Sequence, residues 1–222
     1  MKKILVLALC LLAITLKAQT TTDSITHPKF RIYVGLGVAV TSEFNINNNL
    51  KAVGLPVIGQ ESPEVTLGYN VAEDKVSMDF EVNANYFDRK NSENRVRSAS
   101  AGAKLRLHYV PVRTASFFLS GGADLSYVTN AVEIYRRDIV TDLDNLDPAD
   151  YNGRISLNNT ILYAGPSIAA GFFQNRGCPV RLNVGYDFGL TNGKWNSDFG
   201  QIENNIKENG QTRFYAKVVL YL

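Results

Sequence analysis

Along most of this chain hydrophobic side chains recur at every second residue. In KFRIYVGLGVAVT, the residues Phe30, Ile32, Val34, Leu36, Val38 and Val40 alternate with Lys29, Arg31, Tyr33, Gly35, Gly37, Ala39 and Thr41. A period of two is the signature of a strand with two unlike faces. The alternation returns in EVTLGYNV, KVSMDFEVNANY and RSASAGAKLRLHY, in the run from Phe117 to Tyr127, in VRLNVGYDFGL and in the final TRFYAKVVLYL. TILYAGPSIAAGF also reads as a strand, although both of its parities are small or apolar. About eight amphipathic strands follow, and no run shows a helical period of any length.

The connections alternate in length. Short ones fall at 72–75, 110–114 and 174–179, and long ones at 45–60, 88–94, 130–158 and 192–211. In an antiparallel meander, odd and even connections lie at opposite ends, so the long loops gather at one rim and the short turns at the other. That asymmetry predicts an all-β fold: a closed antiparallel up-and-down transmembrane β-barrel with short periplasmic turns and long external loops. The Val, Leu, Ile, Phe and Tyr face meets lipid, and the Gly, Ser, Asn and charged face points inward. Closure is compulsory in hydrocarbon, because an open edge leaves N–H and C=O groups without partners at several kcal/mol each. The last strand, which keeps its alternation to Leu222, is therefore expected to pair with the first.

A soluble, exported barrel of lipocalin type would turn the same faces inside out. Gly35, Gly37, Gly68, Gly102, Gly122, Gly185 and Gly189 all share the polar parity. Small residues relieve crowding inside a narrow barrel and have no such use on a water-facing surface, which favours the membrane reading. Phe30, Tyr86, Tyr109, Phe117, Tyr127 and Phe214 lie towards strand ends, as interfacial girdles require.

MKKILVLALCLLAITLKAQ begins with Lys2 and Lys3, runs apolar from Ile4 to Leu16 and offers Ala18 as a cleavage point, so residues 1–18 read as a secretory signal peptide. Residues 19–28 then form a short periplasmic tail and residues 29–222 the outer-membrane barrel domain. The chain carries 23 Lys and Arg against 21 Asp and Glu. Loss of Lys2, Lys3 and Lys17 leaves 20 against 21, and this near-neutral balance, with no basic block, excludes nucleic acid as a partner. Cys10 leaves with the signal, so Cys178 stands alone as an incidental free thiol and no internal disulfide forms.

The LKAQT cleavage region, the glycine-rich YVGLGVAV and YAGPSIAAGFF resemble the small outer-membrane β-barrel proteins, often labelled porin family, of Gram-negative bacteria, and among them those of the Bacteroidota. The resemblance covers nearly the whole mature chain. It implies a location in the outer membrane, contact with outer-membrane lipid, and a monomer. Proteins of the PorT type, implicated in secretion machinery, are relatives in the same loose sense, but no motif singles out that role.

Candidate chemistry is sparse. On the inward parity lie Arg31, Lys104, Arg106, Arg181, Arg213 and Lys217, with Glu64, Asp79, Glu81, Asp124 and Asp187. Unpaired buried charge costs several kcal/mol, so a cross-barrel network of ion pairs is expected, and a barrel of about eight strands is only wide enough for its own side chains. Filling is therefore favoured over a narrow porin-like channel. Hydrolysis would need a base beside a nucleophile. His108 lies on the inward parity near a short turn, and spacing places neither Ser100 nor Ser120 next to it, so no catalytic residue is assigned and the chain reads as no enzyme. The acidic run holding Asp138, Asp142, Asp144, Asp147 and Asp150 lacks the order of a calcium loop and reads as solvated. No metal or other cofactor is assigned. Function is expected in loops 130–158 and 192–211, through adhesion, surface recognition or a partner protein.

Overall fold

Residues 29–137, 154–174, 179–197, 200–203 and 206–222 are described in the computed structural model. Residues 1–28, the acidic run from 138 to 150 and Cys178 lie outside them. Eight long strands close into a barrel: β1 (Lys29–Thr41), β2 (Glu61–Glu73), β3 (Val76–Lys90), β4 (Asn94–Arg113), β5 (Phe117–Arg136), β6 (Arg154–Phe172), β7 (Val180–Gly189) and β10 (Thr212–Tyr221). A two-stranded ribbon, β8 (Gly193–Lys194) with β9 (Lys207–Glu208), and one helix, α1 (Ile46–Ala52), sit in the external connections. Every neighbouring barrel pair is antiparallel. The ring closes between β1 and β10, where Val34 faces Leu220 and Val40 faces Phe214, and the Leu222 N–H donates to the Ile32 carbonyl at 2.9 Å.

Both faces follow the alternation. Leu36, Phe80 and Ile168 on the outside are each more than half exposed, whereas Glu81, Lys104, Arg106 and Asp187 inside are at most 1% exposed. A water-soluble protein would place these two sets the other way round, so the outer face has lipid as its solvent. On β3 the outward apolar run from Val76 to Tyr86 is about 33 Å long, or about 25 Å along the normal at a tilt of about 40°, which matches a bilayer core. Aromatic pairs mark both borders. Phe30 stacks on Tyr69 with ring centroids 5.7 Å apart and Phe117 meets Phe172 at 5.5 Å on the periplasmic side, while Tyr186 and Phe188 lie 5.0 Å apart towards the external side.

Strands β4 and β5 are 20 residues each and β6 is 19. At about 3.3 Å per residue they reach about twice the apolar thickness, so their outer halves must stand above the membrane. The hydrophobic parity reverses where they emerge. On β5, Leu119, Leu125 and Tyr127 face outward, but higher up Val128, Val132 and Ile134 are the buried residues and face inward. TILYAGPSIAAGF is ambiguous for the same reason. Ile161 and Tyr163 are buried inside while Ile168, lower on the strand, is exposed to lipid.

Two expectations need correction. The connection 88–94 is largely strand, since β3 runs on to Lys90 and β4 begins at Asn94, leaving residues 91–93 as a tight turn, and both ends of 130–158 are strand, since β5 runs on to Arg136 and β6 begins at Arg154. In that turn the Asn91 side-chain oxygen accepts from the Asn94 N–H at 2.6 Å, and the Asn91 N–H donates to the Asn94 carbonyl at 2.9 Å, so side chain and backbone close it together. The chain also contains a helix, although no helical period was read. Seven residues are too few to show one, and α1 is held by burial of Ile46 and Leu50 rather than by its own propensity.

Candidate functional site

The barrel interior is a charge network. Glu64 receives Arg213 and the Lys217 Nζ at 2.6 Å, and Lys217 also reaches Glu81. Arg106 binds Asp79 at 3.2 Å and Asp124 at 3.1 Å, Arg181 binds Asp79 at 3.0 Å, and Lys104 bridges Asp124 at 3.1 Å and Asp187 at 3.3 Å. Among the described residues five cations (Lys104, Arg106, Arg181, Arg213, Lys217) thus meet five carboxylates (Glu64, Asp79, Glu81, Asp124, Asp187), and the network is neutral. Tyr215 donates to Asp124, and its ring lies 3.4 Å from the Lys104 ammonium. Arg31 stays out of these ion pairs; it lies at the periplasmic mouth and donates to Gln174 at 3.2 Å. Sequence spacing put the charges and Tyr33 on the inward parity, but did not show that Tyr33, Tyr163, Tyr215 and Tyr221 fill the space between the charges.

His108 is joined to two serines. Its Nδ1 lies 2.9 Å from Ser120 Oγ and its Nε2 2.7 Å from Ser167 Oγ, which in turn donates to Asp124 Oδ1 at 2.5 Å. Since the Ser167 hydroxyl proton goes to Asp124, His108 Nε2 must carry the proton that Ser167 accepts, and Nδ1 accepts from Ser120. These are the residue types of a nucleophile, a base and a carboxylate. All four are at most 4% exposed, and Asp124 is already engaged by Arg106 and Tyr215, so no face remains for a substrate. The arrangement is a polar tie between β4, β5 and β6. Ser100 is not part of it, and Ser167, missed in the sequence, comes from a third strand. No group of three His, Cys, Asp or Glu suited to a metal ion occurs among the described residues.

At the external rim, the first and last long connections build a core. Phe44, Ile46, Leu50 and Ile58 from the first connection and Trp195 from the last pack on Val96, Val128, Val132, Ile134, Ile161 and Tyr163 of the emergent strands. Glu208, fully buried, ties the two loops together. It accepts from the backbone N–H of Asn45 at 2.6 Å and of Ile46 at 3.1 Å, from Trp195 Nε1 at 2.8 Å and from Gln211 Nε2 at 3.2 Å. Four donors, two of them the start of α1, replace the water that this carboxylate gives up. At the surface of the same cap, the hydrogen bond from Lys51 holds the Glu43 carboxyl below the usual carboxylate range.

The outer face of the emergent sheet is basic. Register places Lys90, Arg95, Tyr135 and Arg154 in one row and Asp88, Arg97, Glu133 and Ser156 in the next, nearer the membrane. Arg95 and Arg97 lie 6.0 and 5.3 Å from the Tyr135 ring centroid. Arg95 grips Asp88 with two nitrogens, holding that carboxyl below its ordinary range, and Arg154 pairs with Glu133. Lys90 has no ion-pair partner among the described residues, and four cations face two carboxylates in these rows. No sequence signal marked the face, because its members come from four strands and become neighbours only through register.

An exposed apolar belt between two aromatic borders, closed over a neutral charged interior, decides the class. This chain is an eight-stranded outer-membrane β-barrel. One solved structure shares this fold at a TM-score of 0.50. The barrel is similar to Ail, the attachment invasion locus protein of Yersinia pestis, with a TM-score of 0.50 at 8% identity over 89% of this chain and 100% of that one. It is also similar to Neisserial surface protein A, with a TM-score of 0.46 at 11% identity over 87% and 98%, and to OprG from Pseudomonas aeruginosa, with 0.47 at 12% over 90% and 99%. No family model and no curated protein sequence matches the chain.

Proposed function

We propose that this outer-membrane barrel is a surface-interaction protein, a monomer without enzymatic activity, and that the basic outer face of its emergent sheet holds anionic groups of an external ligand such as a sulfated or phosphorylated polysaccharide. The carrying observation is Tyr135 between Arg95 and Arg97, beside the unpaired Lys90, on a face that stands above the lipid. Guanidinium groups bind sulfate and phosphate through two parallel hydrogen bonds, and the aromatic ring fixes their side chains beforehand. A rigid sheet is a better platform for this than a loop. Of the loops named from the sequence, the described residues of 192–211 help to seal the mouth through Trp195. Conduction is the weaker reading, because the interior charges are paired with one another and the mouth is closed by a hydrophobic core. For an accessory part in secretion no residue on the described surface speaks specifically.

The test is binding of purified barrel in detergent micelles to immobilised heparin, a polysulfated probe. Retention should fall as salt rises, and R95Q/R97Q should lower the affinity at least about tenfold. Equal retention of the double variant, or none of the wild type at low salt, would rule the face out.

A further inference from the structure

The short-turn end of the barrel holds a second feature that the surface role does not use. A pocket of about 190 Å³ opens at the periplasmic mouth, lined by Arg31 of β1, Asn70 of β2, Ser77 of β3, Arg113 at the end of β4, Gln174 after β6 and Tyr221 of β10. No carboxylate lines it. Asn70 and Ser77 make its floor, where the Asn70 amide donates both to Ser77 at 2.8 Å and to Asp79 at 2.7 Å. Asp79 itself lies deeper and is consumed by Arg106 and Arg181.

The arginines are arranged differently from those of the interior network. Every interior guanidinium has a carboxylate, whereas Arg31 has only the neutral Gln174, and Arg113 has no hydrogen-bond or ion-pair partner among the described residues. The Arg31 guanidinium lies 5.4 Å from the Tyr221 ring and that of Arg181 5.3 Å from it, so the ring is held among cations, and no described residue accepts from its hydroxyl. Two arginines without a carboxylate partner and this tyrosine line a space smaller than the usual pocket for a drug-sized molecule. Such a space suits one small group carrying several acceptor oxygens and a negative charge.

We propose that the periplasmic mouth binds a phosphate-type oxyanion, held by Arg31 and Arg113 with the Tyr221 hydroxyl as a third donor. The group is either a free phosphate compound in the periplasm or the headgroup of an inner-leaflet phospholipid, whose phosphate lies at the same depth as this rim. Blind below and closed by Asn70 and Ser77, the pocket retains the anion without passing it through the barrel.

Phosphorus NMR distinguishes the outcomes. Inorganic phosphate titrated with the purified barrel in uncharged micelles should broaden and shift. R113Q should weaken this about tenfold, and R31Q/R113Q should abolish it. Arg113 is exposed at the end of β4, so R113Q should keep the heat-dependent gel migration of a folded barrel, and it serves as the readout if the double variant fails to fold. In a parallel arm, nanodiscs containing phosphatidylglycerol should show a bound headgroup signal that R113Q removes if lipid is the source. Arginine-dependent binding in the first arm alone assigns a soluble phosphate compound, and in the second alone a lipid. Binding in neither arm, or binding that R113Q leaves unchanged, overturns the proposal.

Discussion

The ring of Tyr33 occupies the space that a side chain at Gly68, its partner across β1 and β2, would fill, and Tyr215 covers Gly185 between β10 and β7 in the same way. Both tyrosines are 0% exposed. Tyr33 donates to Glu81 at 3.1 Å and Tyr215 to Asp124, so each ring carries a hydroxyl into the charge network that a shorter residue could not deliver. Gly68 and Gly185 are therefore required by the packing of particular rings, whereas Gly37 and Gly122 lie against the backbone of the neighbouring strand.

Replacement of Gly68 by Val should cost about 1–3 kcal/mol, the usual penalty for overpacking, with G185V similar. By contrast G200A, where an added methyl group meets nothing within 4 Å, should be nearly neutral. Urea unfolding in micelles gives the comparison, and equal midpoints for G68V and G200A would contradict the ring-over-glycine packing.

Leu182 and Asn183 are adjacent on β7 and face opposite ways, the first 42% exposed and the second fully buried. Leu182→Arg should cost about 2–4 kcal/mol if it meets the bilayer midplane. Asn183→Ala should cost much less, because the Asn183 amide has no hydrogen-bond partner among the described residues and its loss breaks no bond. Refolding into lipid vesicles measures both, and a reversed order would exchange inside and outside.

The chain has a single tryptophan, Trp195, whose ring packs on Phe44 with centroids 6.0 Å apart and whose Nε1 donates to Glu208. Glu208→Ala leaves four donors without their acceptor and should loosen the cap by about 1–3 kcal/mol per orphaned group at most, moving the tryptophan emission to longer wavelength. Heat-dependent migration of the barrel should persist. Unchanged emission would mean that Glu208 does not hold the cap.

Lys217 stands between Glu64 and Glu81 and holds their charges apart. Lys217→Met should destabilise by about 3–5 kcal/mol, as expected when one member of a buried ion network is removed. The double variant K217M/E81Q should recover part of that loss, since Arg213 still neutralises Glu64. An equal or greater loss in the double variant would show that the methionine fails for reasons of shape and not of charge.

Legibility followed the range of the interactions. Alternation at two residues is local, so the strands β1, β3, β7 and β10 and their faces could be read directly. It failed at Val128–Ile134 and at Ile161, where the apolar parity reverses, because the strand has left lipid and now packs on loops that are distant in sequence. His108 could be called inward, yet Ser120 and Ser167 reach it only through register, 12 and 59 residues away. The reversal lies in NAVEIYR, a stretch that the alternation of the lower strand had left to a long loop.

The sequence by itself determined the strands, the lipid-facing and inward faces, and the inventory of interior charges, because each depends on the direction of a side chain from its own backbone. Tertiary structure decided which charges pair, that tyrosines cover glycines, that Glu208 joins the first and last external loops, and that four strands assemble one basic face. Those features depend on register and closure. A shift of one residue would turn the charged face to lipid and is excluded by the alternation itself, but a shift of two would keep both faces and yet exchange every partner, so local chemistry alone leaves that choice open until the ring closes.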